Sequence, residues 1–187
     1  MIKNGEKTES AVSPVVGVML MLVVTIIIAA IVSAFSGCLM SSQNKVPQAT
    51  IQGQFSIANG MTITHAGGDP IATNDLVFTV RDSDLFGSNL EQTTAQVINM
   101  TLITNSNGTA IVDSTTGAIN VPAYLSGDTW FISPANIACG TLQPSVNASL
   151  GSTYCFANTA NIGKTFRLDV SDKQGDLISK TDVTISA

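Results

Sequence analysis

The chain has 187 residues, 11% of them charged and 44% hydrophobic, and a formal net charge of −5 at pH 7. The four charges ahead of Lys45 (Lys3, Glu6, Lys7, Glu9) cancel, so the acidity belongs to the rest of the chain. That excludes a nucleic-acid partner, which needs a basic patch, and suits a surface that stays soluble outside a cell.

The first ten residues, MIKNGEKTES, are polar. No charge then occurs between Glu9 and Lys45, and Val12 to Phe35 is apolar almost throughout. As a helix, roughly 24 residues reach ~36 Å, enough to cross the ~30 Å hydrocarbon core of a bilayer. Ser13 followed by Pro14 is a helix start, because Ser accepts from the free first-turn amides and Pro is pre-set for the first helical position. Gly37 is a natural stop. Gly17, Thr25, Ala29, Ser33 and Gly37 recur at multiples of four, interrupted by Met21. Small residues at this spacing let apolar helices approach closely where lipid offers no hydrophobic drive. The alternative is an ordinary single-pass anchor, since Gly and Ala are common in membrane helices. A secretory signal has a basic start and a run of only ~7–15 apolar residues, so it fits poorly.

Ala11 to Phe35, AVSPVVGVMLMLVVTIIIAAIVSAF, resembles the N-terminal segment of archaeal type IV pilins, in which a short polar leader precedes a Val-Ser-Pro start and an unbroken apolar helix. The resemblance implies that a prepilin peptidase removes the leader, here between Ala11 and Val12. Ser10 stands where the family has Lys or Arg. Val16 occupies the neighbourhood of the glutamate of bacterial pilins, which points to the archaeal branch. It further implies an assembly ATPase with its membrane platform, a homo-oligomeric helical filament, and a location that moves from membrane to cell surface. A competing reading is a lipoprotein, because Phe35-Ser36-Gly37-Cys38 approaches a lipobox and Cys38 would carry the lipid.

Ser41 to Ala49 is a polar hinge containing Pro47. From there, short Val/Ile/Thr/Phe runs alternate with Gly/Asn/Asp/Ser/Pro clusters. They predict strands at Thr50–Ala58, Met61–His65, Asp75–Val80, Thr94–Ile103, Ala110–Asp113, Asp128–Ile132, Thr165–Val170 and Leu177–Ile185. Asn59-Gly60 predicts a hairpin turn, and Ser171–Asp176 another. Strands every ten residues or so suggest a sandwich with Greek-key connections. The expected fold is therefore α+β, a long apolar helix followed by an all-β, Ig-like sandwich. Its boundaries are a leader at 1–11, the helix at 12–40, the hinge at 41–49 and the domain at 50–187.

Cys139 and Cys155 bracket a Gly/Pro/Ser/Asn-rich loop within Ala135 to Ala160, and a bridge between them would be worth ~3 kcal/mol in the chain-entropy model. Two buried free thiols are the alternative. Asn99, Asn107 and Asn147 open Asn-x-Ser/Thr sequons, with Asn107 the most accessible in its NSNG turn. His65-Ala66-Gly67-Gly68-Asp69 reads as a tight turn, in preference to a His65/Asp69 metal or catalytic pair, and is similar to a stretch following the second strand in many archaeal pilins. Asp82-Ser83-Asp84 and Asp169–Asp172 lack a full calcium-ligand series and read as polar turns. Trp130 and Phe131 read as core or strand residues, not as a sugar-binding platform. No catalytic motif, metal site or cofactor is expected.

Overall fold

The computed structural model describes residues 14–39, 45–86, 95–142 and 153–187, with side chains described to 35 in the first of these. The expected cleavage point Ala11–Val12, the 41–44 part of the hinge, the Cys38 side chain and the Asn147 sequon lie outside the described residues. The chain divides into two compact units at Lys45/Val46.

The first unit is helix α1, Pro14–Leu39. Its Pro14–Phe35 stretch has a mean hydropathy of 3.2 and is long and apolar enough to cross a membrane. Every described side chain on it is exposed.

The second unit is built on ten strands: β1 (Ala49–Ser56), β2 (Gly60–Gly68), β3 (Ile71–Ala72), β4 (Leu76–Asp82), β5 (Gln96–Val97), β6 (Ile103–Thr104), β7 (Ala123–Tyr124), β8 (Thr129–Ile132), β9 (Thr165–Asp172) and β10 (Leu177–Ser186). Eight of them form one sheet in the order β5-β4-β9-β10-β1-β2-β8-β6, and β3 pairs with β7 separately. The sheet curls so that its two four-stranded halves face each other. Phe78 of β4 meets Trp130 of β8 edge to face with centroids 6.1 Å apart, and Phe55 of β1 meets Phe166 of β9 at 5.5 Å. The sandwich expected from strand spacing is thus realised by folding one sheet over on itself.

The seam between the halves is the β1–β10 pair, which is parallel and matched only at Phe55↔Ile185 and Ser56↔Ser186. Hydroxyls reinforce it: Ser186 Oγ donates to the Phe55 carbonyl at 2.8 Å, and Ser179 Oγ accepts from the Ile51 amide at 3.1 Å. Gly53 faces inward at this seam. A Cβ there would lie 2.6 Å from Val183 Cγ2, so the closeness of the halves depends on a missing side chain.

Period-2 alternation holds along the long strands. Ile51 and Phe55 of β1, Met61 and Ile63 of β2, and Phe166, Leu168 and Val170 of β9 are buried, with polar residues between them. Three expectations are corrected. The single strand predicted over Thr94–Ile103 is divided between β5 and β6, at opposite edges of the sheet, because Asn99 caps a 3₁₀ turn at Met100–Leu102 and the chain crosses between the halves. Ala110–Asp113 makes only isolated bridges, Thr104↔Ala110 and Val112↔Ile119. Asp169–Asp172 belongs to β9, with Asp169 held by Arg81, so it is strand and not turn. Phe131 points outward and is 38% exposed, whereas its neighbour Trp130 is buried.

Candidate functional site

The helix is the first candidate, and its surface chemistry is simple. Thr25 Oγ1 donates to the Leu22 carbonyl one turn back at 2.9 Å, so the polar group in the middle of the apolar stretch is satisfied within the helix. A continuous α-helix also defines what the small-residue row is. Each step of four residues turns about 40°, so the Gly37 position lies about 200° round from Gly17. The row is a ridge that winds obliquely about the helix, and its Thr25–Ala29–Ser33 portion keeps to one side. Beside it, Val18, Met21, Leu22 and Thr25 enclose a shallow apolar hollow. Their i, i+3, i+4, i+7 spacing gives the four corners of the hole that receives a side chain from a facing helix in knobs-into-holes packing.

In the β unit, Cys139 and Cys155 form a disulfide with Cα atoms 5.4 Å apart. Asn161, itself buried, donates from Nδ2 to the carbonyls of Cys155 and Thr153 at 2.8 and 2.9 Å, which fixes the backbone on one side of the bridge. Both described sequon asparagines are exposed. Asn99 Oδ1 accepts from the Thr101 amide and hydroxyl at 3.0 and 2.9 Å, so that side chain is folded onto its own sequon. Asn107 stands in the turn closed by Gly108 N–H to the Asn105 carbonyl, at the rim of a polar hollow of about 280 Å³ that also includes Asp128 and Thr129.

His65 and Asp69 do not form a side-chain pair. The strand continues through Gly67 and Gly68, which pair with Thr50 and Ala49, and the turn starts only at Asp69. Gly68 has φ +113°, and a Cβ there would meet the Gln48 carbonyl at 2.2 Å, so the close pass of the two strands, not a turn, requires glycine. Asp69 Oδ2 accepts from the Gln48 amide at 3.1 Å. The buried His65 ring instead donates from Nε2 to the Asp69 carbonyl at 3.1 Å and packs edge to face on Tyr124 at 5.2 Å. Tyr124 in turn donates its hydroxyl to the Ile63 carbonyl at 2.8 Å. Burial, helped by the Asp128 charge, pushes its phenol pKa well above the ordinary tyrosine value, so it stays a donor. This is a core polar cluster. Among the described residues no group of three or more His, Cys, Asp or Glu could hold a metal ion.

Residues 10–51 match the family model for the N-terminal region of archaeal type IV pilins, a stretch that runs from the end of the polar leader through α1 into the start of β1. An uncharacterized protein of Archaeoglobus fulgidus is 37% identical over 68 residues, covering 34% of this chain and 46% of that relative. The chain therefore spans less than half the length of the curated relative it matches.

Proposed function

We propose that the chain is the structural subunit of an archaeal type IV pilus or a pilus-like surface filament. The observation that carries this is the exposed, uncharged α1 helix lying inside the stretch that matches the pilin N-terminal model. In this reading a prepilin peptidase cuts between Ala11 and Val12. The helix waits in the membrane with the β domain (50–187) outside, joined through the 41–49 hinge. An ATPase-driven platform then extracts subunits, and their helices bundle into the filament core. Exchanging lipid for protein contacts is nearly neutral in solvation terms, so close packing supplies the preference. The Thr25–Ala29–Ser33 part of the small-residue ridge and the adjoining Val18/Met21/Leu22/Thr25 hollow are the surfaces that fit this, as knob-accepting geometry on a helix with no buried face of its own. The β domains coat the filament, serve adhesion, and offer Asn99, Asn107 and Asn147 to glycans.

The test is the mass of the N-terminal peptide of protein purified from its native cells. A chain beginning at Val12 supports the proposal. A lipid-modified Cys38 as the first residue makes the chain a surface lipoprotein and overturns it.

A further inference from the structure

The two outer faces of the curled sheet differ in chemistry. On the β4-β9-β10 half, charges of both signs stand side by side: Arg81 Nε bonds Asp169 at 3.0 Å, Arg167 Nε lies 3.6 Å from Asp182, and Lys180 is paired with Asp169 across the strands. Among the described residues, the strands of the β1-β2-β8-β6 half present no charged side chain on their outer face. Strand register arranges it in rows. One row is Gln54–Thr62–Phe131–Thr104, and the next is Gln52–Thr64–Thr129. Such rows place carboxamides and hydroxyls about 4.8 Å apart across the strands and about 6.8 Å apart along them. Asp69 and Asp128 lie beyond the strand ends and accept backbone amides, from Gln48 and Leu125, and the terminal Ala187 carbonyl oxygen accepts from the Ser56 hydroxyl at the edge of the face.

Two further observations separate this face from a merely solvated one. Gln52, Gln54 and Asn59 are exposed and Thr62 is half-buried, and their side chains bond to no other described residue. At the β1–β2 hairpin end the face dips into a hollow of about 390 Å³ bordered by Gln54, Ser56, Asn59 and Thr62 together with Ser186 and Ala187 of the β10 end, a size that accepts small ligands. The row leading from this hollow carries Phe131, an aromatic ring exposed on an otherwise polar strand face.

We propose that this face binds a neutral polysaccharide. Carboxamides and hydroxyls are matched donors and acceptors for sugar hydroxyls, and an exposed aromatic ring stacks on the apolar face of a pyranose. Among the described residues, no charged side chain of these strands offers a charged polymer a counter-charge. A second copy of the chain would have to desolvate carboxamides and hydroxyls with only one aromatic residue to offset the cost. The proposal names a ligand class for the adhesive role suggested above, and the assay uses unassembled protein, so its failure leaves filament formation untouched.

Full-length protein in a polyoxyethylene detergent, which carries no sugar, is passed over immobilised cellulose, dextran and mannan, with alginate as the anionic control. Retention is expected on at least one neutral matrix and not on alginate. It should be unchanged in about 1 M salt, where charge effects are screened within ~3 Å, and reversed by the soluble form of the same polymer. F131A combined with Q54A should lower affinity by about tenfold or more, as for loss of a central anchor. R81A on the opposite face should leave it unchanged, and thermal melts establish that both variants are folded. Absence of retention on all three neutral matrices, equal retention on alginate, retention indifferent to F131A/Q54A, or self-association that F131A/Q54A abolishes without any polysaccharide binding would each overturn the proposal.

Discussion

Tyr124 is where the interior of the β domain is most exacting. Its ring lies 4.0 Å from that of Trp130 and 6.3 Å from that of Phe78, and its hydroxyl donates to the Ile63 carbonyl in a site closed to water. Tyr124→Phe keeps the ring contacts and removes the buried hydroxyl bond to the Ile63 carbonyl. Chemical denaturation should show a loss of about 1–3 kcal/mol with the native circular-dichroism spectrum retained. Asp113 is the opposite case, half-exposed in a surface turn. The amides of Thr116 and Thr115, and the Thr116 hydroxyl, hold its carboxyl below the usual carboxylate range. A depressed folded-state pKa means the contribution is complete above the unfolded value and disappears as pH falls through the folded one. The Thr115 and Thr116 amide resonances should therefore shift together in acid, with a midpoint below that of an unstructured aspartate.

Among elements, the β1–β10 seam decides whether one sheet can behave as two. Its backbone pairing is short, and hydroxyl bonds at both ends plus the close approach over Gly53 complete it. Gly53→Ala puts a methyl against Val183 and Leu168, and should cost about 1–3 kcal/mol by overpacking, read as a lower denaturation midpoint. The main strands were legible in the sequence because alternation and turn residues are local signals. Two-residue strands such as β3, β5, β6 and β7 carry no period, and they exist only because distant segments meet there. The Asn59-Gly60 hairpin was correctly placed, although Ser56 pairs with Gly60 and the turn takes three residues, Ile57 to Asn59. The disulfide followed from loop composition. Trp130 and Phe131 both lie in β8 as core-or-strand residues, and only the strand's orientation decides which of the two faces inward.

For the whole molecule, the contrast is between a helix with no buried side and a domain with a complete core. Ala29→Leu or Ser33→Leu adds bulk to the ridge without adding polarity. Membrane insertion, measured by fractionation, should be unaltered, and the yield of sedimentable filaments should fall by at least about tenfold. Filaments at normal yield would remove the ridge from the packing surface.

The sequence alone determined the helix, its apolar character and its likeness to a pilin front end, because length, charge and the Val-Ser-Pro start are properties of consecutive residues. Tertiary structure decided that the strands form one curled sheet, and that among the described strand residues the charged side chains share one of its two outer faces. Those features depend on register and on pairing between residues far apart in the chain, where no local pattern reports them.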